Sequence, residues 1–393
     1  MLLILALLLV SSGGAERQLI LSLEDNFDDF NLSLWKHELS LGGGGNWEFQ
    51  YYTNNRSNSF VEDGVLHFRP TLLSEEIGED AVRSNYYTLN IWGAQPADLC
   101  TGNAFYGCER RAGGGGNVLN PIKSARIRTA ESFSFTYGKV EVRAKLPRGD
   151  WLWPAIWMLP TDNQYGNWPA SGEIDIMEAR GNPPSYAPGG YNSFGSTLHW
   201  GPQHTQNRYP LTHQTRSGVD YSAAFHTYGL VWNETYIGTY VDMESNVVLS
   251  VPISQSFWER GGWTSPWENP WRTRGPNAPF DRRFFLLINL AVGGTSTFFP
   301  DGFGKPWNNT SPNAINHFYN ARDSWFPTWN QTFQIDSVRV WTYADVDVSD
   351  PTMTPMLTTS TSSALGSLIR MISTSGGVTV ICIVLGFVLL LKM

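Results

Sequence analysis

The sequence predicts an all-β protein in which two sheets stack as a sandwich. Between Gln18 and about Tyr343 no long helical periodicity occurs, while short alternating runs recur between Gly, Pro and Asn punctuation. The run Phe284–Val292 (FFLLINLAV) is apolar apart from Asn289, and a strand with no polar face is one buried between layers. No internal repeat of fixed period is visible, so residues 16–345 are read as one β domain.

The amino terminus opens with MLLILALLLVSSGGA, an apolar run followed by small residues. Residues 1–15 are therefore expected to be a secretory signal, although the usual basic start is missing. Six Asn-x-Ser/Thr sequons, at Asn31, Asn55, Asn233, Asn308, Asn309 and Asn330, agree with a glycosylated, secreted chain, though such tripeptides also arise by chance. Cys100 and Cys108 flank a short Gly-containing loop and in an oxidising compartment are expected to form a disulfide, while Cys382 sits in a terminal apolar run. The glycine clusters at 42–45 and 113–116 read as loops. Neither precedes a helix pattern or carries the lysine of a phosphate cradle.

Lys139–Lys145 (KVEVRAK) puts Val140, Val142 and Ala144 on one strand face and four charged residues on the other. Next comes Trp151–Pro160 (WLWPAIWMLP), where Trp151, Trp153, Ala155 and Trp157 share a face, and Trp168 follows in GNWPASGEID. Flat apolar rings beside polar groups suit a sugar, while core packing is the alternative for any single Trp.

The segment Ser171–Asn182 (SGEIDIMEARGN) carries Glu173, Asp175 and Glu178 among Ile174, Ile176 and Met177. Glu173 and Asp175 share a strand face. Glu178 has the wrong parity, and a β-bulge near Ile176 or Met177 is needed to return it to its partners. Crowded carboxylates push one pKa upward, leaving one group as an acid while another stays ionised, as glycosidic cleavage requires. An exposed acidic strand is the plainer alternative. His199, in STLHW, is either a polar partner of this site or a structural histidine.

The exclusions are as informative. With 41% hydrophobic and 16% charged residues, a net charge of −8 and a pI near 5.4, the chain offers no basic field for a nucleic-acid backbone. No HExxH or comparable metal spacing occurs, so no metal and no cofactor is expected, with a structural calcium ion held by backbone carbonyls left undecided. No GxSxG elbow is present either. Beyond the domain, 346–375 is expected to be a Ser/Thr-rich stalk, and 376–393 an apolar tail. Small residues at Ser362, Ser363 and Ala364 ahead of this tail suit a glycolipid (GPI) anchor signal better than a transmembrane helix, with Arg370 and Lys392 against it. The expected location is the outer face of the plasma membrane, with a secreted form open.

The run LWPAIWMLPTDNQYGNWPASGEIDIMEARGN resembles the core of glycoside hydrolase family 16, in its β-1,3-glucanase (laminarinase) branch and the related animal β-1,3-glucan-binding proteins. Further matching blocks are GGGGNWEFQYYTNNRSNSFVEDGVLHFRPT, CTGNAFYGCERR, STLHWG, FFLLINLAVGG and FQIDSVRVW, together covering about residues 20–345. The resemblance implies a concanavalin A-like jelly roll of two antiparallel sheets and endo-hydrolysis of β-1,3-glucan with retention. It implies Glu173 as nucleophile, Glu178 as acid/base and Asp175 as the residue tuning the pair. Trp153, Trp157, Trp168, Arg143 and His199 match substrate-groove positions. Glucan-binding relatives without turnover and transglycosylases are the alternatives it leaves open.

Overall fold

The structure is a computed structural model that describes residues 16–93, 100–113, 116–346, 383–384 and 387–388. Two large antiparallel sheets dominate. One joins β18 (Val247–Pro252), β17 (Tyr236–Val241), β16 (His226–Trp232), β11 (Gly138–Lys145), β20 (Phe333–Val346), β5 (Val65–Phe68) and β4 (Ser59–Glu62) in that order, with β1 (Glu16–Asp25) paired to β20. The other joins β15 (His213–Ser217), β14 (Ser193–His199), β13 (Glu173–Ala179), β12 (Leu152–Pro160), β19 (Phe284–Val292), β10 (Arg126–Arg128) and β2 (Lys36–His37). Smaller pairings join β3 (Gln50–Tyr52), β9 (Ile122–Ser124) and β6 (Thr71–Leu72), and β7 (Thr88–Asn90) with β8 (Glu109–Arg111). These strands lie in one unit, 15–346; outside it Ile383–Val384 pairs with Phe387–Val388.

Alternation builds the sandwich. On β11, Val140, Val142 and Ala144 are fully buried while the residues between them are not. β19 is buried at all nine positions, as its apolar run requires. On β13, Ile174, Ile176 and Met177 enter the core, each buried aliphatic side chain contributing about 1.5–3 kcal/mol relative to exposure. Trp200 and Trp232 fill the same core, with their indole N–H groups donating to Thr212 Oγ1 and the Phe280 carbonyl. Such partners are what lets these rings bury fully.

The longest described helix, Ala314–Asn320, has seven residues, matching the absence of helical periodicity. Among the described residues no helix is long and apolar enough to cross a membrane. The expected signal segment, most of the stalk and nearly all of the apolar tail, with Cys382, lie outside the described residues.

Candidate active site

The parity problem of β13 is resolved by its register. Against β12, Asp175 pairs with Trp157 and Glu178 with Ala155; against β14, Asp175 pairs with Thr197 and Glu178 with Gly195. Two residues of β13, Ile176 and Met177, thus stand where one is needed, and Ser196 Oγ donates to the Ile176 carbonyl at the irregularity. Ala155 and Trp157 share a face of β12, so their partners Glu178 and Asp175 share it too. The bulge lies where parity requires it. The same face collects Trp153, Thr197, His199 and His213 from neighbouring strands. Gly195 matters here: a Cβ at that position would come within 2.9 Å of His213 Cε1, so a side chain opposite Glu178 would force His213 away.

Each glutamate is held by an indole. Trp153 Nε1–H donates to Glu178 Oε1 at 2.9 Å, and Trp168 Nε1–H donates to Glu173 Oε2 at 2.9 Å. Asp175, only 2% exposed, shares a hydrogen bond with Glu173 and has Oδ2 at 3.1 Å from His199 Nε2. The same His199 nitrogen lies 3.8 Å from Glu173 Oε1.

Burial of three like charges shifts all three acids upward. Glu173 is pushed up to about 8, first by burial and then by the Asp175 charge, against the opposing pull of His199 and the Trp168 donor. Asp175 is raised well above the usual carboxylate range by burial and by Glu178. Glu178 is raised by burial, which His199, the Trp153 donor and Arg180 partly offset. At neutral pH the cluster therefore carries protons that ordinary carboxyls would have lost, which supplies acid and base functions within one site. Glu173, Asp175 and His199 also bring one potential metal-ligand atom each within 4.8 Å of one another.

The aromatic positions divide by exposure. Trp168 is 42% exposed next to Glu173 and offers an open ring. Trp153 is 7% exposed, and Phe298 stacks on it at 3.8 Å, so its contribution is the N–H toward Glu178 rather than a free face. Trp157 is half-buried; its N–H donates to Asn289 Oδ1 at 2.7 Å, and the Arg126 guanidinium sits 5.2 Å from its ring. Asn289, the single polar residue of β19, is thus a partner for the groove.

Arg143 is a correction. It lies on β11 in the opposite sheet, facing outward, paired with Asp336 at 2.8 Å and set over Phe225. Its strand alternates like the groove strands, but Val140 and Val142 claim the inward face, leaving Arg143 to solvent. Cys100 and Cys108 are joined as a disulfide. Among the sequons, Asn31, Asn55, Asn308 and Asn330 are exposed and Asn233 is half-buried. Asn309 is half-buried with its amide nitrogen donating to the Phe299 carbonyl and its oxygen accepting from Lys305.

Sequence reasoning missed Asn207, His213, Phe298 and Arg126. Arg126 had a detectable signal, since strand alternation of ARIR places it opposite Ile127. The loop residues Asn207 and Phe298 had none. A cavity of about 660 Å³ lined by Trp47, Glu48, Phe49, Tyr106 and Arg110, among others, shares no lining residue with the triad. Buried Glu48, pushed up to about 7 by that burial, lines this cavity, but Glu173, Asp175, Glu178 and their indole donors do not.

The sheet order defines a jelly roll of two antiparallel sheets, with the bulged acidic strand and its indole-held glutamates on one face. The sequence model for Glycosyl hydrolases family 16 matches residues 111–255. A β-1,3-glucan-binding protein of Penaeus monodon is 48% identical over 331 residues, covering 81% of this chain and 89% of its own. A glucan endo-1,3-beta-glucosidase of Cryptopygus antarcticus is 32% identical over 342 residues, covering 86% and 97%. The laminarinase from Rhodothermus marinus superposes with a TM-score of 0.51 at 25% identity, over 84% of this chain and 99% of that one. Three further relatives are longer, the chain spanning 61% to 63% of their length. The chain belongs to glycosyl hydrolase family 16, whose glucanases need no cofactor.

Proposed function

We propose that the protein is an endo-acting β-1,3-glucanase that cleaves laminarin-like glucans with retention of configuration. The observation carrying this reading is the β13 bulge, which turns Glu173, Asp175 and Glu178 to one face and leaves each glutamate oriented by its own indole N–H. Glu173 attacks the anomeric carbon while protonated Glu178 donates to the departing glycosidic oxygen. Water then attacks the glycosyl-enzyme as Glu178 takes its proton, releasing Glu173.

The raised acids suit Glu178 as proton donor and require Glu173, raised to about 8, to release its proton before it acts as nucleophile. Asp175 is the most buried of the three, and burial raises it. The hydrogen bond it shares with Glu173 works the other way and favours the charged form of Asp175, so Glu173 donates it at rest and gives up that proton before it attacks. Glu178 keeps its proton through burial until the leaving oxygen claims it. The open ring of Trp168 beside Glu173 provides an apolar face for the sugar next to the scissile bond.

A second reading, glucan recognition without turnover, is favoured by the 48% identity to a protein named for glucan binding. Reducing-end release from laminarin by the purified protein decides between them. New reducing ends that disappear with Glu173→Gln and Glu178→Gln support the glucanase; laminarin binding with no new ends supports the receptor. In either case we place the protein in the secretory pathway, glycosylated and held at the cell surface by its carboxy-terminal tail, on the strength of the terminal apolar runs and sequons.

A further inference from the structure

His199 faces the carboxylates through Nε2, and what that nitrogen carries is decided on the far side of the ring. There Asn207 Nδ2 lies 2.7 Å from His199 Nδ1. The orientation of the Asn207 amide follows from its other contacts, because its Oδ1 accepts backbone N–H groups from Tyr209 at 3.1 Å and Trp200 at 3.4 Å. Two donors demand an oxygen at that position, so the atom turned to His199 is the NH2. An NH2 can only donate, which makes Nδ1 an acceptor and leaves the ring proton on Nε2.

The geometry points to Asn207 as a positioning residue that locks His199 in the Nε2–H tautomer, with that nitrogen facing the Asp175–Glu173 pair. Nε2 lies 3.1 Å from Asp175 Oδ2 and 3.8 Å from Glu173 Oε1, within reach of their charge, although its N–H makes no aligned hydrogen bond to Asp175 Oδ2. The ring is fixed laterally by Trp168 and Tyr209, at 5.5 and 5.2 Å between centroids. The loop bearing Asn207 reaches the end of β14 because residue 201 is glycine: a Cβ there would stand 2.3 Å from the Gln206 carbonyl oxygen.

The lock has two consequences. With its lone pair on Nδ1 engaged by Asn207, His199 places no second base beside the proton that Asp175 and Glu173 share, leaving Glu178 as the one proton shuttle. It also closes the cluster to metal ions. Glu173, Asp175 and His199 have ligand atoms close enough for a zinc-class cation, but a histidine nitrogen that carries hydrogen cannot ligate. Asn207 is thereby what separates a hydrolytic carboxylate site from a metal site. The effect on catalysis rests on the glucanase reading; the tautomer and the metal exclusion do not.

Asn207→Asp is the discriminating variant. One carboxylate oxygen still accepts from Trp200 and Tyr209, while the other now accepts where the amide donated, so the loop keeps its contacts and only the instruction to His199 inverts. Nitrogen-15 histidine NMR of the full chain should show a bare Nδ1 and a protonated Nε2 in the wild type. In Asn207→Asp the proton should appear on Nδ1. Zinc alone, titrated calorimetrically, should bind Asn207→Asp about 10–100-fold more tightly than wild type, as expected when a carboxylate orients a ligating histidine. On laminarin, kcat of Asn207→Asp should fall about tenfold with KM little changed. A wild-type Nδ1–H, or an Nδ1 that stays bare in Asn207→Asp, overturns the lock; equal zinc affinity overturns the metal exclusion. A correct tautomer in a protein that releases no reducing ends sinks the glucanase reading and leaves the lock standing.

Discussion

β11 and β13 are both strands with charged residues alternating against aliphatic ones, yet they do opposite things with charge. On β11, Lys139 pairs with Glu141 at 2.8 Å at half-buried positions and Arg143 with Asp336 at 2.8 Å at the surface, each charge beside one of opposite sign. Opposite signs near the surface cost little and contribute about 0–1 kcal/mol each. On β13 three charges of one sign are drawn under the surface, where two indole N–H groups, a histidine and the nearby Arg180 answer them. Alternating charge on a strand therefore says nothing about function until sign and burial are known. An arrangement that raises all three of its acids works against folding at neutral pH, and persists where chemistry uses it.

The largest effect that sharpens this contrast is catalytic. Glu178→Gln should lower laminarin hydrolysis by about 10²–10⁴-fold, the usual worth of a positioned general acid, and Glu173→Gln at least as much; near-normal rates in either would remove that residue from its role. Next is stability against pH. Glu173 has its folded pKa raised from the ordinary 4.5 to about 8, so the folded state holds a proton that the unfolded chain releases. Its contribution is fully present below about 4.5 and is lost as pH rises toward 8. Glu173→Gln should therefore gain stability over the wild type across that interval, by on the order of 1–3 kcal/mol, in urea titrations at successive pH values. Parallel curves for the two proteins would mean that Glu173 titrates normally.

Smaller again is Trp153→Phe, which keeps the stack on Phe298 but removes the donor to Glu178. A hydrogen bond to a charged group is worth about 1.5–3 kcal/mol, so kcat/KM should drop about tenfold or more with the fold intact. The smallest effect belongs to β11. Arg143→Ala should change stability by no more than about 0.5 kcal/mol and leave hydrolysis untouched. Lost activity in Arg143→Ala would erase the distinction between the two strands.

Much of this was legible from the residues. Period-2 runs and the buried FFLLINLAV strand announce a sandwich, and the parity conflict at Glu178 implies a bulge that the register displays. The cysteine spacing anticipated the disulfide. Arg143 was placed at the groove by resemblance alone; alternation tells which residues share a face, not which sheet that face belongs to, and so could not correct it. Trp153 was read as a sugar platform because the residue that covers it, Phe298, is distant in sequence. Asn207 escaped although it lies only eight residues from His199. It comes from a loop whose path depends on Gly201, and its meaning lies in which atom of its amide faces His199.

The central claim is that the β13 bulge creates a two-carboxylate site for retention, in which the glutamate carboxyls work at the roughly 5–5.5 Å spacing of such enzymes. Proton NMR of the anomeric region during the first minutes of laminarin hydrolysis tests it directly. The account expects the new reducing ends to appear as the β-anomer and only later to equilibrate with α. Ends appearing first as the α-anomer would contradict it, because that product comes from direct attack by water on the opposite face of the sugar.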